Sequence, residues 1–277
     1  MPFGFTDTEY EDYAVLLDGV PAWMREPLIG WLEASHLTDG SWVRTAAALQ
    51  LQTVTRIDLG VPAGAVMQMA NLRPRLRKLP EKALLRVIDY MLSVTGPTPR
   101  STSWQQLETI LQSAKSKWTV GQRMGKVGLI ERVPAGVQAA VEGTIASSGT
   151  AGTVLARAWS YVHGLEPNDS SAYADAVRAV EIAAIAVVQP NHGTATLGTV
   201  LGQMRADGDW RLPLREHQQT PTADLVLGML QTLWYGHRDR HGSVDYSDVT
   251  HDEARAAVAL AATLTEWFTS GALTHRP

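Results

Sequence analysis

Two stretches near the C-terminal end constrain the fold of this chain more than any other feature. In Tyr173, Ala176, Val177, Val180, Ala183, Ala184 and Val187, apolar residues recur three and four positions apart. The same spacing returns in Ala254, Ala257, Val258, Ala261, Leu264 and Phe268. Such spacing places each set along one face of an α-helix. Most of these side chains are small, and Ala is the best helix former, so the two faces suit closely packed helices. Pro167-Asn168-Asp169-Ser170 offers cap residues for the first helix, and Pro190 ends it. Thr250-His251-Asp252-Glu253 has the form of a capping box for the second.

The neighbouring segments read the same way. Ala156 to Gly164 is expected to finish a helix at a glycine. Thr196 to Arg205 is a short helix closed by Asp207-Gly208, and Thr222 to Gly236 is a longer one carrying Leu230 and Leu233. Toward the N-terminus, Thr6-Asp7-Thr8-Glu9 fits another capping box. Trp23, Pro27, Leu28, Trp31 and Leu32 follow Pro21 at helical spacing. Further helices are expected over Thr45–Ile57 and Glu81–Ser93. Gly96-Pro97-Thr98-Pro99 is a connection, and Ser103-Trp104-Gln105-Gln106 opens a helix to about Ser113. Lys117–Val120 and Leu129–Val133 read as two short strands, with the glycine-containing stretch from Gly121 to Gly128 as their loop. A two-stranded ribbon is marginal alone and has to pack on helices. The expected fold is all-α: a helical N-terminal region over 1–133 with a small β-ribbon near 117–133, a linker over 134–152 rich in Ala, Gly, Ser and Thr, and a helical bundle over 153–277.

Composition narrows the chemistry. The chain has no cysteine, which removes disulfides, thiolate metal sites and Cys nucleophiles. Eight histidines without metal-like spacing argue against a zinc site, and no Gly-rich nucleotide loop or Gly-x-Ser-x-Gly element is present. The expectation is therefore no metal and no cofactor. The acidic N-terminus has no signal-peptide pattern and no apolar run reaches 18 residues, so a soluble cytoplasmic protein without a membrane partner is expected.

Charge is unevenly spread. Residues 1–72 carry three basic and nine acidic side chains, whereas residues 73–132 carry twelve basic and four acidic. Within that positive segment, Arg73, Arg75, Arg77, Lys78, Lys115, Lys117, Arg123 and Lys126 are candidate nucleic-acid-binding residues, with Trp118 able to stack on a base. The alternative is a solvated loop and a core Trp, with the positive segment balancing the acidic ends by intramolecular attraction or across an oligomer.

The densest polar cluster of the C-terminal part is His237-Arg238-Asp239-Arg240-His241-Gly242. Cations followed by glycine at a helix end satisfy the helix dipole and the turn, which is one sufficient reading. The other is chemical. A His titrating near neutrality can move a proton, and an Arg can hold a phosphate, as cleavage of an RNA phosphodiester requires. Glu181 interrupts the first apolar stripe. It could fix that cluster by a charge-assisted hydrogen bond, or pair on the surface with Arg178.

The run SAYADAVRAVEIAAIAVVQPN, then ATLGTVL, then a helix, an Arg/His motif and VTHDEARAAVALAATLTEWF resembles the C-terminal domain of abortive-infection-type HEPN proteins of bacteria and phages. The likeness covers roughly the last 120 residues, with a weaker one over Leu107–Val133. It implies a HEPN-like helical bundle, a metal-independent ribonuclease acting as toxin or effector in antiviral defence, an RNA substrate, a homodimer formed through this domain, and a phage or host protein as trigger. Some members have lost activity and serve as dimerisation and binding modules for protein or nucleic acid. Carried over, His241 is the motif His, Arg238 the motif Arg, Asp239 the polar residue after it and Glu181 the acidic residue facing the motif. The usual form has four to six residues between Arg and His. Here only Asp239 and Arg240 intervene, and Arg240 is an alternative Arg.

Overall fold

A computed structural model describes residues 15–94, 102–236 and 248–275. The expected capping box at 6–9, the connection at 96–99 and the Arg238–His241 cluster lie outside these residues. The protein is mostly helical, with only small antiparallel strand pairs, as an all-α fold with a small ribbon requires. It divides into two compact units, Met1–Arg132 and Val133–Pro277.

In the first unit, helix α1 (Ala22–Leu32) runs into a π-helical turn, Glu33–Leu37. A two-residue hairpin follows, β1 (Thr38–Asp39) with β2 (Trp42–Val43), then α2 (Thr45–Thr55), α3 (Met69–Lys78), α4 (Glu81–Val94) and α5 (Thr102–Ser113). Leu28, Leu32, Leu51, Leu72, Leu76, Leu84, Ile88, Leu107 and Leu111 supply fully buried side chains to this unit. The basic run is a helix, not a loop. Residues 73–78 form the C-terminal turns of α3, where Arg75, Arg77 and Lys78 also suit the negative end of the helix dipole.

The ribbon is longer than its sequence suggests. Strands β3 (Trp118–Arg123) and β4 (Lys126–Glu131) pair over six residues each, and Gly121 faces Gly128 within the ladder. The loop is only Met124-Gly125, both at positive φ (47° and 76°), the geometry of a tight hairpin turn. The two ladder glycines serve close approach. A Cβ on Gly121 would overlap Ile130 Cδ1, and one on Gly128 would press on Arg123 and Asp89. Helices hold the ribbon through two carboxylates. Asp89 of α4 accepts from Leu129 N (2.7 Å) and from Arg123 Nη2 (2.6 Å). Glu108 of α5 accepts from Val120 N (2.8 Å), Thr119 Oγ1 (2.9 Å) and Arg132 Nη2 (3.0 Å).

The second unit begins where a linker was expected. Residues 134–152 form helix α6 (Ala135–Ser147) and the first turn of α7 (Gly149–His163). Their small residues serve a tight corner: a Cβ on Gly152 would overlap the carbonyl of Ile145. Next come α8 (Asp169–Val188), α9 (Leu197–Asp207), β5 (Trp210–Arg211), α10 (Thr222–Tyr235), α11 (His251–Thr269) and β6 (Thr274–His275), which pairs with β5. Helix α8 is the centre of the bundle and packs along α7 and α11. The apolar stripes meet there: Ala176, Val180 and Ala184 of α8 join Ala158 and Trp159 of α7 and Val258, Ala261 and Phe268 of α11 in one buried cluster. The caps are those the sequence offered. Asn168 accepts from Ser171 N (3.0 Å), and Thr250 with Glu253 forms a reciprocal capping box. No helix among the described residues is long and apolar enough to cross a membrane.

Candidate active site

The segment carrying Arg238, Asp239, Arg240 and His241 joins α10 to α11, and both of its flanks are fastened to the start of α8. On the upstream side, the Tyr173 hydroxyl donates to the Leu233 carbonyl (3.2 Å). Gly236 then passes so close to that ring that a Cβ would overlap Tyr173 Oη, which explains the glycine. On the downstream side, His251 Nδ1 lies 2.8 Å from Asp169 Oδ1. Asp169 and Tyr173 are four residues apart on α8 and so share one face of its first turns. The flanks of the Arg–His segment therefore attach one helical turn apart. His251 and Asp169 are each in the first turn of a helix, where a carboxylate complements the dipole. Their side chains are 37% and 25% exposed.

Glu181 meets the start of the next helix, while the Arg–His segment it was expected to face lies outside the described residues. Its Oε2 accepts from Leu197 N (2.8 Å), so it caps the start of α9. It stands three turns along α8 from Asp169, about 18 Å at 1.5 Å per residue. The break it makes in the apolar stripe is explained by that cap.

Between Asp169 and Glu181, Asp175 binds the Arg157 guanidinium of α7 through both oxygens. The hydrogen bond that Arg157 donates to this mostly buried carboxylate raises its guanidinium above the ordinary range, so it stays charged at all working pH values. This pair ties α7 to α8 and carries no sign of a proton-transfer role.

The basic residues of the first unit are largely engaged within it. Arg73 pairs with Glu26 (3.0 Å) and Glu33 (3.4 Å), and Arg77 pairs with Glu26 (2.5 Å). Arg75 donates to Leu59 O (3.1 Å), Lys117 pairs with Asp18 (2.8 Å), and Arg123 with Asp89 (2.5 Å). Lys78, Lys115 and Lys126 are exposed. Trp118 is buried beneath the Lys117 ammonium (5.1 Å from ring centre), and its Nε1 has no hydrogen-bond partner among the described residues. It is a core residue and offers no stacking face. The charge asymmetry is thus met in large part by intramolecular attraction: Asp18, Glu26 and Glu33 from the acidic start neutralise Lys117, Arg73 and Arg77. The hydrogen bond from Arg77, supported by Arg73, holds the Glu26 carboxyl at about 2.

The pairing of His251 with Asp169 is the feature that sequence reasoning missed. Both residues were visible as parts of helix caps, but nothing in the spacing of 82 positions signals that two helix starts converge. No family model, curated protein or solved structure matches the chain. Among the described residues, no group of three or more His, Asp or Glu side chains is placed to hold a metal ion.

Proposed function

We propose that the second unit is a HEPN-type, metal-independent endoribonuclease acting as the toxin or effector of an antiviral, abortive-infection type of defence. The observation that carries this reading is the attachment of both flanks of the Arg–His segment to one turn of α8, at Tyr173 and Asp169. That arrangement supports a site at the start of α8. Arg238 or Arg240 would hold the scissile phosphate and offset charge developing on its oxygens. His241 would transfer a proton and Asp239 would orient it. The 2′-hydroxyl of the substrate is the attacking group, so the reaction needs no metal-generated nucleophile.

The test compares wild type with His241→Ala after induction in a bacterial host. Growth arrest with fragmentation of total RNA, abolished by the substitution, is the expected result. Equal growth and intact RNA in both strains would refute the reading.

A second reading is an inactive HEPN-like module that dimerises and binds protein or nucleic acid. An open groove of about 790 Å³ between α6 and α11 favours it. Gly136, Ala139, Ala140 and Gly143 line one wall, and Ala259, Ala262 and Thr263 the other. Small residues at this spacing allow another helix to approach closely. A dimer by sedimentation that Gly143→Leu dissociates, together with no RNA cleavage, would favour this reading over the first.

A further inference from the structure

We infer that the first unit binds a neutral sugar in the cleft between the β1–β2 hairpin and the start of α3. The inference concerns the first unit alone and does not rest on the ribonuclease reading. The cleft holds about 600 Å³, and its lining includes Glu33, Thr38, Ser41, Gln68, Ala70 and Arg73. Small-molecule sites run from about 300 to about 1,000 Å³.

Much of the hydrogen-bonding capacity of this lining is unmet. Arg73 Nη1 meets Glu33 Oε2 at 3.4 Å, looser than the roughly 2.7–2.9 Å of a good charge-assisted bond. The other carboxylate oxygen, Glu33 Oε1, and the Arg73 Nε are buried with no hydrogen-bond partner among the described residues. Folded proteins leave few such atoms, and each calls for a partner. Gln68 stands at the N-cap of α3, but its side chain makes no capping bond. The Ala70 carbonyl lacks its usual helical donor, because Pro74 has no amide hydrogen to give it. The cleft therefore sets unmet donors beside unmet acceptors.

Charge decides the class of ligand. Arg73 and Arg77 are balanced by Glu26 and Glu33, so the wall is close to neutral. An anion would face Glu33, and a cation would face Arg73. A hydroxyl both donates and accepts, so one hydroxyl can serve Glu33 Oε1 while its neighbour serves Arg73 Nε. The two side chains are 22% and 38% exposed, and a small rotation of either brings these atoms to the cleft. Trp42 adds an apolar surface. It follows Ser41 in the chain, is the bridge partner of Gln68, and is 48% exposed. An indole offers a flat apolar face on which the carbon-bound hydrogens of a ring can pack. A molecule with a hydroxyl edge and an apolar face is a sugar.

The experiment titrates the purified, isotope-labelled full-length protein with D-glucose, D-galactose and D-ribose and follows the amide signals of Gly40, Ser41 and Ala70. Inorganic phosphate and glucosamine serve as charged probes. Saturable shifts with at least one neutral sugar are expected, with no comparable response to the charged probes. Glu33→Gln removes the charged acceptor and should weaken the affinity about 10-fold or more, as loss of a hydrogen bond to a charged group does. Ala70→Leu fills the cleft without touching the ion pair and should abolish binding. Thermal melts check that each variant is folded, and if one is not, the other decides. Saturation by none of the three sugars overturns the inference. A stronger response to phosphate or glucosamine overturns it too, since the site then recognises charge. Sugar binding that persists unchanged in a folded Glu33→Gln or Ala70→Leu lies elsewhere and overturns it as well.

Discussion

Replacing Asp89 by Ala tests how a two-stranded ribbon is kept on a helical unit. The carboxylate of Asp89 accepts from the Leu129 amide at 2.7 Å and from Arg123 at 2.5 and 2.6 Å. Its removal strands an amide within the ladder and a guanidinium that is 23% exposed, whose Nε already has no hydrogen-bond partner among the described residues. Leaving a buried donor unmet costs about 1–3 kcal/mol, and a hydrogen bond to a charged group contributes about 1.5–3 kcal/mol. The full cost of breaking a buried ion pair is about 3–5 kcal/mol. Both partners here retain some access to water, so that figure must be reduced for screening. The expected loss is about 2–4 kcal/mol. Asp89→Asn keeps an acceptor for Leu129 and loses only the charge, so it should cost about half as much. Urea unfolding reads the loss as a fall in midpoint at unchanged slope. Hydrogen exchange at the Leu129 amide reports the ribbon directly. A loss below about 1 kcal/mol for Asp89→Ala, or unchanged protection at Leu129, would refute the idea that this carboxylate holds the ribbon.

Three further outcomes follow from the same geometry. Glu26 is held at about 2, against 4.5 for an unperturbed carboxyl, so its pairing with Arg77 and Arg73 stabilises the fold fully above about pH 4.5 and fades as pH falls toward 2. Melting temperatures of wild type and Glu26→Gln should therefore differ at neutral pH and converge near pH 2; a constant gap would contradict the assignment. Tyr173→Phe should cost about 1 kcal/mol by loss of one hydrogen bond, whereas Gly236→Ala should cost more, and adding Tyr173→Phe to it should recover part, as a double-mutant cycle measures. Thr250→Ala removes the hydroxyl that accepts from the Glu253 amide and should lower stability by about 1 kcal/mol, as urea unfolding would measure.

The helices of the second unit were legible because several signals agreed at each one. In α8 and α11 the apolar stripe, the cap residues and the stop signals all point to the same boundaries, and the structure places those stripes face to face in the core. Glycine was harder to read. In the ribbon it suggested a loop from Gly121 to Gly128, yet those two residues sit inside the ladder, where close contact with Ile130 and Arg123 excludes a side chain. In 134–152 small residues suggested a linker, but they make room for a sharp α6–α7 corner. Long-range pairs left no trace in the sequence. Arg73 and Arg77 of α3 are neutralised by Glu26 and Glu33, some 40 to 51 positions away, so two cations of a run that looks like a phosphate-binding patch belong to an ion-pair network. The same blindness hid the His251–Asp169 pair and the bond from the Leu197 amide to Glu181.

The most direct test of the central claim is cleavage of a defined RNA by the purified protein in the presence of a strong chelator, with the product ends identified. The expected result is cutting that the chelator does not affect, 2′,3′-cyclic phosphate ends, no cutting where the 2′-hydroxyl is replaced by hydrogen, and loss of activity in His241→Ala. Intact RNA, activity abolished by the chelator, or cutting of the 2′-deoxy substrate would contradict it.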